Sequence, residues 1–126
     1  MNRKIVIIED NEQNMYMLTY LLESNSYEVH QCYSGAEGIV LAGEVIPAAI
    51  LLDIQLPEMD GHAVARKLRE NTKLDKVPII AVTSYAMVGD REKVMESGAD
   101  GYIEKPIDPD TFIIQMEAII SEKAKK

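Results

Sequence analysis

Four stretches of this sequence end an apolar run on a group that can do chemistry. Ile5-Val6-Ile7-Ile8 leads into Glu9-Asp10, and the run from Ala48 to Leu52 leads into Asp53. Ile79-Ile80-Ala81-Val82 ends on Thr83-Ser84, and Gly101-Tyr102-Ile103 is followed closely by Lys105. Each has a bland reading. Glu9-Asp10 would merely start a helix, Asp53 cap a turn, Thr83 fill a strand and Lys105 decorate a surface. If the four runs are parallel strands, their carboxyl ends share one rim, and ligands bind at that rim in open α/β sheets. The four groups then converge. Three carboxylates in one place repel: two like charges at 4 Å cost roughly 1 kcal/mol in water and about 4 kcal/mol at an effective dielectric of 20. Such a cluster calls for a cation, or for one member to be protonated. Carboxylate oxygens with waters and a main-chain carbonyl suit Mg²⁺, with Mn²⁺ the substitute. Mg²⁺ and the Lys105 ammonium together balance three carboxylates. A metal beside a carboxylate nucleophile, a lysine and a hydroxyl is equipment for phosphoryl transfer. Thr83 would hydrogen-bond one oxygen of the transferred group.

The elements that must position these groups can be read from periodicity. Residues 5–8, 48–52 and 79–82 are continuous, largely β-branched or aliphatic runs, as expected of strands buried on both faces. Tyr27 to Cys32 alternates like a half-exposed edge strand, and Gly101-Tyr102-Ile103 is a short fifth strand. Between them lie helical patterns. Asn11 caps a helix with the stripe Met15, Leu18, Leu21 and Leu22. Ser34-Gly35-Ala36-Glu37 is a capping box, and that helix stops before Pro47. Asp60 caps a third helix. A fourth carries Val94 and Met95 inward and ends at Gly98, a C′ glycine. Asp108-Pro109, a cap followed by proline at the first helical position, opens the last, with the stripe Phe112, Met116, Ile119 and Ile120. Five strand–helix repeats predict an α/β fold, (βα)5, with a parallel sheet covered on both faces. Right-handed crossovers favour a doubly wound strand order such as 2-1-3-4-5, which the alternation alone does not fix.

Composition bounds the function. The 126 residues predict a single domain, and 47% of them are hydrophobic, enough for a sizeable core. The net charge of −8 argues against direct binding to nucleic acid or to an anionic membrane, and suits metals and cationic partners. Cys32 is the single cysteine, so no intrachain disulfide forms and a cytoplasmic location is expected. No apolar segment is long enough for a signal peptide or membrane span. His30 and His62 lack metal-ligand spacing to each other and read as solvated side chains.

Glu9-Asp10, the stretch Leu-Asp-Ile-Gln-Leu-Pro-Glu-Met-Asp-Gly over 52–61, Thr83 and Lys105-Pro106, in that order, resemble the receiver domain of two-component response regulators. The resemblance spans Lys4 to about Lys123. Asp-Asn-Glu-Gln-Asn (10–14) and Ala-Met-Val-Gly-Asp (86–90) bring it closest to single-domain regulators of the DivK type, wording shared with receivers of hybrid kinases. It implies a flavodoxin- and CheY-like sheet of order 2-1-3-4-5. It implies that Asp53 accepts a phosphoryl group from a sensor histidine kinase or a histidine phosphotransfer protein. Asp10 would ligate Mg²⁺ directly, Glu9 through water, and the Gln55 main-chain carbonyl would complete the set with Asp53. Lys105 would pair with Asp53 and then with the phosphoryl group, across a cis bond to Pro106. Thr83 and Tyr102 would form a switch pair. Gln55 and Tyr85 would flank the path of attacking water and tune dephosphorylation. Departures are small: Leu56 stands where many members have methionine, and Tyr85 is bulky.

The expected protein is thus an acceptor with slow autodephosphorylation at most. Residues 1–126 would form one receiver domain, a monomer with no output domain. It would signal to a downstream protein target through the face of helix four, strand five and helix five, or shuttle the phosphoryl group between relay partners. Two other classes compete. An aspartyl phosphohydrolase would need a general-acid Asp two residues beyond the nucleophile, where Gln55 stands. A flavin carrier would need a phosphate-cradling loop after the first strand, where Glu9-Asp10 repels phosphate.

Overall fold

The computed structural model describes residues 2–84 and 87–126. The chain runs β1 (Lys4–Ile8), α1 (Glu12–Ser24), β2 (Glu28–Cys32), α2 (Gly35–Val45), β3 (Ala49–Asp53), α3 (Gly61–Glu70), a 3₁₀ turn (Thr72–Leu74), β4 (Ile79–Thr83), α4 (Val88–Glu96), β5 (Gly101–Glu104) and α5 (Phe112–Ala124). The strands form one parallel sheet of order β2-β1-β3-β4-β5. This is the doubly wound arrangement expected. The chain starts beside the middle and winds outward in both directions, so the strand order reverses between β1 and β3.

Strand alternation builds two cores. Val6, Ile8, Ile50, Leu52, Ile79 and Ala81 point to one face, against Ala42 of α2, Val64, Ala65 and Leu68 of α3 and Val94 of α4. Ile5, Ile7, Leu51, Ile80, Val82 and Ile103 point to the other, against Met15, Leu18 and Leu22 of α1 and Phe112 and Met116 of α5. Every residue of β3 and β4 is buried, which is why both read as unbroken apolar runs with no polar face.

The caps follow local chemistry. Asn11 accepts from the Asn14 N–H, Ser34 from Glu37 and Asp60 from His62. In the Ser34 box the hydroxyl also bonds Glu37 Oε1 at 3.2 Å. Gly98 has φ +118°, as its C′ position requires.

Three expectations need correction. The last helix starts at Phe112, after a turn. The Asp108 side chain accepts from the Asp110 N–H, and its carbonyl receives the Phe112 N–H at 3.0 Å. Asp108 therefore shapes the turn before the helix. Met95 is 45% exposed while Val94 is buried, because adjacent helical residues diverge by about 100° and only one of them can face the sheet. His62 is half-buried with its Nδ1 inaccessible, and His30 Nε2 lies 2.6 Å from Glu28 Oε2. Neither is simply a solvated side chain.

An ionic cluster braces the amino-terminal rim of the sheet. Arg69 on α3 donates to the carbonyls of Gly98 and Leu74, at 2.9 and 2.7 Å, and to Asp100 Oδ2. Asp100 also accepts the Ile79 N–H at 2.9 Å and pairs with Lys123 of α5 at 2.9 Å. The network ties α3, β4, α5 and the start of β5 together, with each guanidinium nitrogen used. Among the described residues, no helix is long and apolar enough to cross a membrane.

Candidate functional site

The carboxyl ends of β1 and β3 are neighbours, with Ile8 paired to Leu52. Glu9-Asp10 and Asp53 therefore leave the sheet side by side. Oxygens of Glu9, Asp10 and Asp53 all lie within 4.8 Å of one another. Glu9 and Asp53 are buried and Asp10 is exposed, so the cluster has one open side. Lys105, just past the end of β5, reaches back with its Nζ 3.3 Å from Asp53 Oδ1 and 3.3 Å from Glu9 Oε1. The Lys105 N–H bonds to the Thr83 carbonyl at 2.9 Å, which fixes where that reach begins. The Lys105–Pro106 bond is cis, as the resemblance implied.

The backbone around Asp53 is held closely. Its Oδ1 accepts the Gln55 N–H at 2.9 Å, and the Gln55 side chain accepts the Ser84 N–H at 3.2 Å. Gly61 starts α3 directly against this loop. A Cβ there would lie 2.4 Å from Ile54 Cα and 2.9 Å from the Asp53 carbonyl oxygen. Only a residue without a side chain lets α3 approach the backbone that carries the carboxylate.

Electrostatics mark Glu9 as the unusual group. Its carboxyl is pushed up to about 7, by burial first and then by hydrogen bonding and charge from Asp53. Lys105 and the Asn11 N–H pull it back down. Glu9 Oε1 is within ion-pair distance of Lys105 but makes no aligned hydrogen bond, whereas Oε2 receives the Asn11 N–H at 3.3 Å. A buried carboxylate oxygen that among the described residues has an ion pair but no aligned hydrogen bond, beside two further carboxylates, suits a hard divalent cation with oxygen ligands. The donor set fits Mg²⁺. It offers few protein ligands and one open side for water or substrate.

The structure brings Glu9, Asp10, Asp53, Gln55 and Lys105 to one rim, with Thr83 buried at the adjoining end of β4. Tyr102, half-buried on β5, sits outward of this group with Arg91 of α4 over its ring, 4.8 Å from Cζ to centroid. Tyr85 lies outside the described residues, as does Ala86. Two contributions were not foreseen from the sequence: Asn11, read only as a helix cap, holds Glu9 with its N–H, and Ser84, named with Thr83 at the strand end, holds Gln55 with its N–H. Both act through the main chain, which carries no signal in residue type.

Comparison with known proteins agrees with this geometry. Residues 5–117 match the family described as response regulator receiver domain. The polar-differentiation response regulator DivK of Brucella ovis is 40% identical over 122 residues, covering 97% of this chain and 99% of that protein. That of Brucella anthropi is 39% identical over the same coverage. Among solved structures, a CheY-like receiver domain protein from Methanospirillum hungatei superposes with a TM-score of 0.88 at 26% identity, over 99% of this chain and 98% of that one. The receiver domain of a sensor histidine kinase from Pseudomonas aeruginosa superposes at 0.87 with 30% identity, over 96% and 99%. That structure has a magnesium ion coordinated in its active site cleft.

Proposed function

This chain belongs to the response regulator receiver domain family, and from that membership we propose that it is a phosphorylation-controlled binding switch with Asp53 as the acceptor. The observation that carries the reading is the Lys105 ammonium, 3.3 Å from both Asp53 and Glu9 inside a cluster of three carboxylates. The donor is a phosphohistidine on a sensor kinase or phosphotransfer protein. An Asp53 oxygen attacks phosphorus, the new P–O bond forms as the P–N bond breaks, and the imidazole leaves with the electron pair. Asp10, Asp53, the Gln55 main-chain carbonyl and, through water, Glu9 would hold Mg²⁺, which would supply positive charge for the phosphoryl oxygens. Lys105 releases Asp53 and follows the new negative charge. Thr83 takes one phosphoryl oxygen by hydrogen bond, and Gln55 limits the approach of water.

The acyl phosphate adds about 1.5 to 2 negative charges at this rim. That charge shifts a two-state equilibrium only through contacts that differ between the states. Thr83 and Tyr102 are the proposed pair, one moving toward the phosphoryl group and the other turning inward. The half-buried Tyr102 ring, covered by Arg91, supports this reading. Residues 1–126 work as one receiver domain, whose output is a changed face formed by α4, β5 and α5 for a downstream protein.

Acetyl phosphate with Mg²⁺ tests the acceptor. Intact-mass spectrometry should show one added phosphoryl group on the wild type and none on Asp53→Asn. Equal labelling of the variant would remove Asp53 from its role.

A further inference from the structure

Helix α1 has a second stripe besides the one that faces the core. Glu12, Tyr16, Tyr20 and Glu23 follow one another at helical spacing on its outer side. With Tyr33, past the end of β2, they line a groove of about 350 Å³. The floor is fixed, because Gln31 of β2 donates to the Thr19 hydroxyl across it at 3.0 Å. Tyr16 and Tyr20 are 69% and 63% exposed. These two rings stand largely outside the protein, in a chain with six tyrosines and no tryptophan.

The charge of the groove is one-sided. Glu12 stands at one end and Glu23 at the other, and no lysine or arginine lines it. Among the described residues, neither carboxylate is engaged in an ion pair, although eight such pairs exist elsewhere in the protein. Eleven residues of helix separate the two carboxylates, about 16 Å along the axis at 1.5 Å per residue. Between them lie aromatic faces, which attract cations through their quadrupoles.

From this geometry we infer that the α1–β2 groove is a docking site for a cationic segment of a partner protein. The segment is extended, with two Lys or Arg residues six positions apart and apolar residues at alternate positions between them, all on one face. An extended chain advances about 3.3 Å per residue and alternates its faces, so six steps, about 20 Å, keep both cations on the groove side, and each long side chain leans inward by about 2 Å to meet its carboxylate. The apolar residues lie over Tyr16 and Tyr20, and the cations reach Glu12 and Glu23. The net charge of −8 steers such a partner toward this protein. The site shares no residue with the Asp53 cluster, so it stands or falls apart from the phosphorylation reading.

The test is titration calorimetry with the blocked peptide Arg-Ala-Leu-Ala-Leu-Ala-Arg, and with spermine as a cation of similar reach without side chains. The peptide should bind the wild type. Binding should weaken by at least about tenfold in the double variant Glu12→Gln/Glu23→Gln and in Tyr16→Ser/Tyr20→Ser. It should also weaken when salt rises from about 50 to about 300 mM. All four substitutions are at surface positions, and circular dichroism confirms the folded state of each variant. Unchanged binding in either double variant, or no binding to the wild type, overturns the inference. Spermine binding as tightly as the peptide would make the site one for small polycations and overturn the protein segment as occupant.

Discussion

Arg91 covers the ring of Tyr102: its Cζ stands 4.8 Å from the ring centroid while its Nη2 lies 3.2 Å from Glu104 Oε1. The guanidinium thus spans α4 and β5 on the exposed side of the sheet edge. Both partners of the ion pair are about half exposed, so the contribution is small. Arg91→Ala should cost less than about 1 kcal/mol in urea unfolding. The informative readout is the NMR ring resonances of Tyr102, which should shift as the ring loses its cover. Unchanged resonances would mean the contact does not persist in solution.

The Glu9 carboxyl, raised to about 7 against an ordinary 4.5, gives metal-free stability a definite pH dependence. Between those values the folded state holds a proton that the unfolded state has lost. The Glu9 contribution is therefore complete below 4.5 and disappears as pH rises to about 7. The decline is at most about 1.4 kcal/mol per pH unit. Glu9→Gln should flatten this part of the profile, as seen in urea midpoints at successive pH values without Mg²⁺. A variant profile parallel to the wild type would show that Glu9 does not titrate there.

Asp53→Asn should stabilise the metal-free protein at pH 8. The carboxylate is buried and close to both Glu9 and Asp10, and one ion pair with Lys105 does not offset two repulsions and the loss of hydration. Asn keeps the acceptor for the Gln55 N–H. The gain should be about 1–2 kcal/mol, and it should shrink when Mg²⁺ is added, because the metal binds the wild type better. Calorimetric melting with and without Mg²⁺ reads both effects. A less stable variant in metal-free buffer would contradict the account.

Gly61→Ala brings a methyl group against Ile54 Cα and the Asp53 carbonyl, neither of which can yield without moving the loop. Destabilisation of about 1–3 kcal/mol is expected, with slower labelling by acetyl phosphate since Asp53 moves too. Normal stability would place α3 farther from the loop.

Replacing Arg69 by Met leaves the Gly98 and Leu74 carbonyls and one side of Asp100 without their donors. The pair is mostly buried, with 20% and 15% of its side chains exposed, and its loss should cost about 2–3 kcal/mol. Lys123→Ala should cost less, since Asp100 keeps Arg69 and the Ile79 N–H. The order of the two denaturation midpoints checks this. Equal losses would mean that Arg69 acts through charge alone.

Much of this architecture was legible in the sequence. The runs at Ile5–Ile8 and Ile79–Val82 announce themselves because strands covered on both faces tolerate no polar residue. Glu9, Asp53 and Lys105 stand out because they break such runs at their ends. The Arg69–Asp100 pair was not legible: its members are 31 residues apart, and neither differs in type from a surface charge. Met95 was misplaced because a nine-residue helix with few apolar residues fixes its buried side only through the sheet it meets. Asp108-Pro109 has the composition of a helix start, yet its bonds serve a turn.

Strand β5 is four residues long, with Asp100 clamped immediately before it and Lys105 drawn into the carboxylates immediately after it. Its whole length is laddered to β4, so the two anchors hold a strand whose register is already fixed, and Tyr102 is carried at a set height between them.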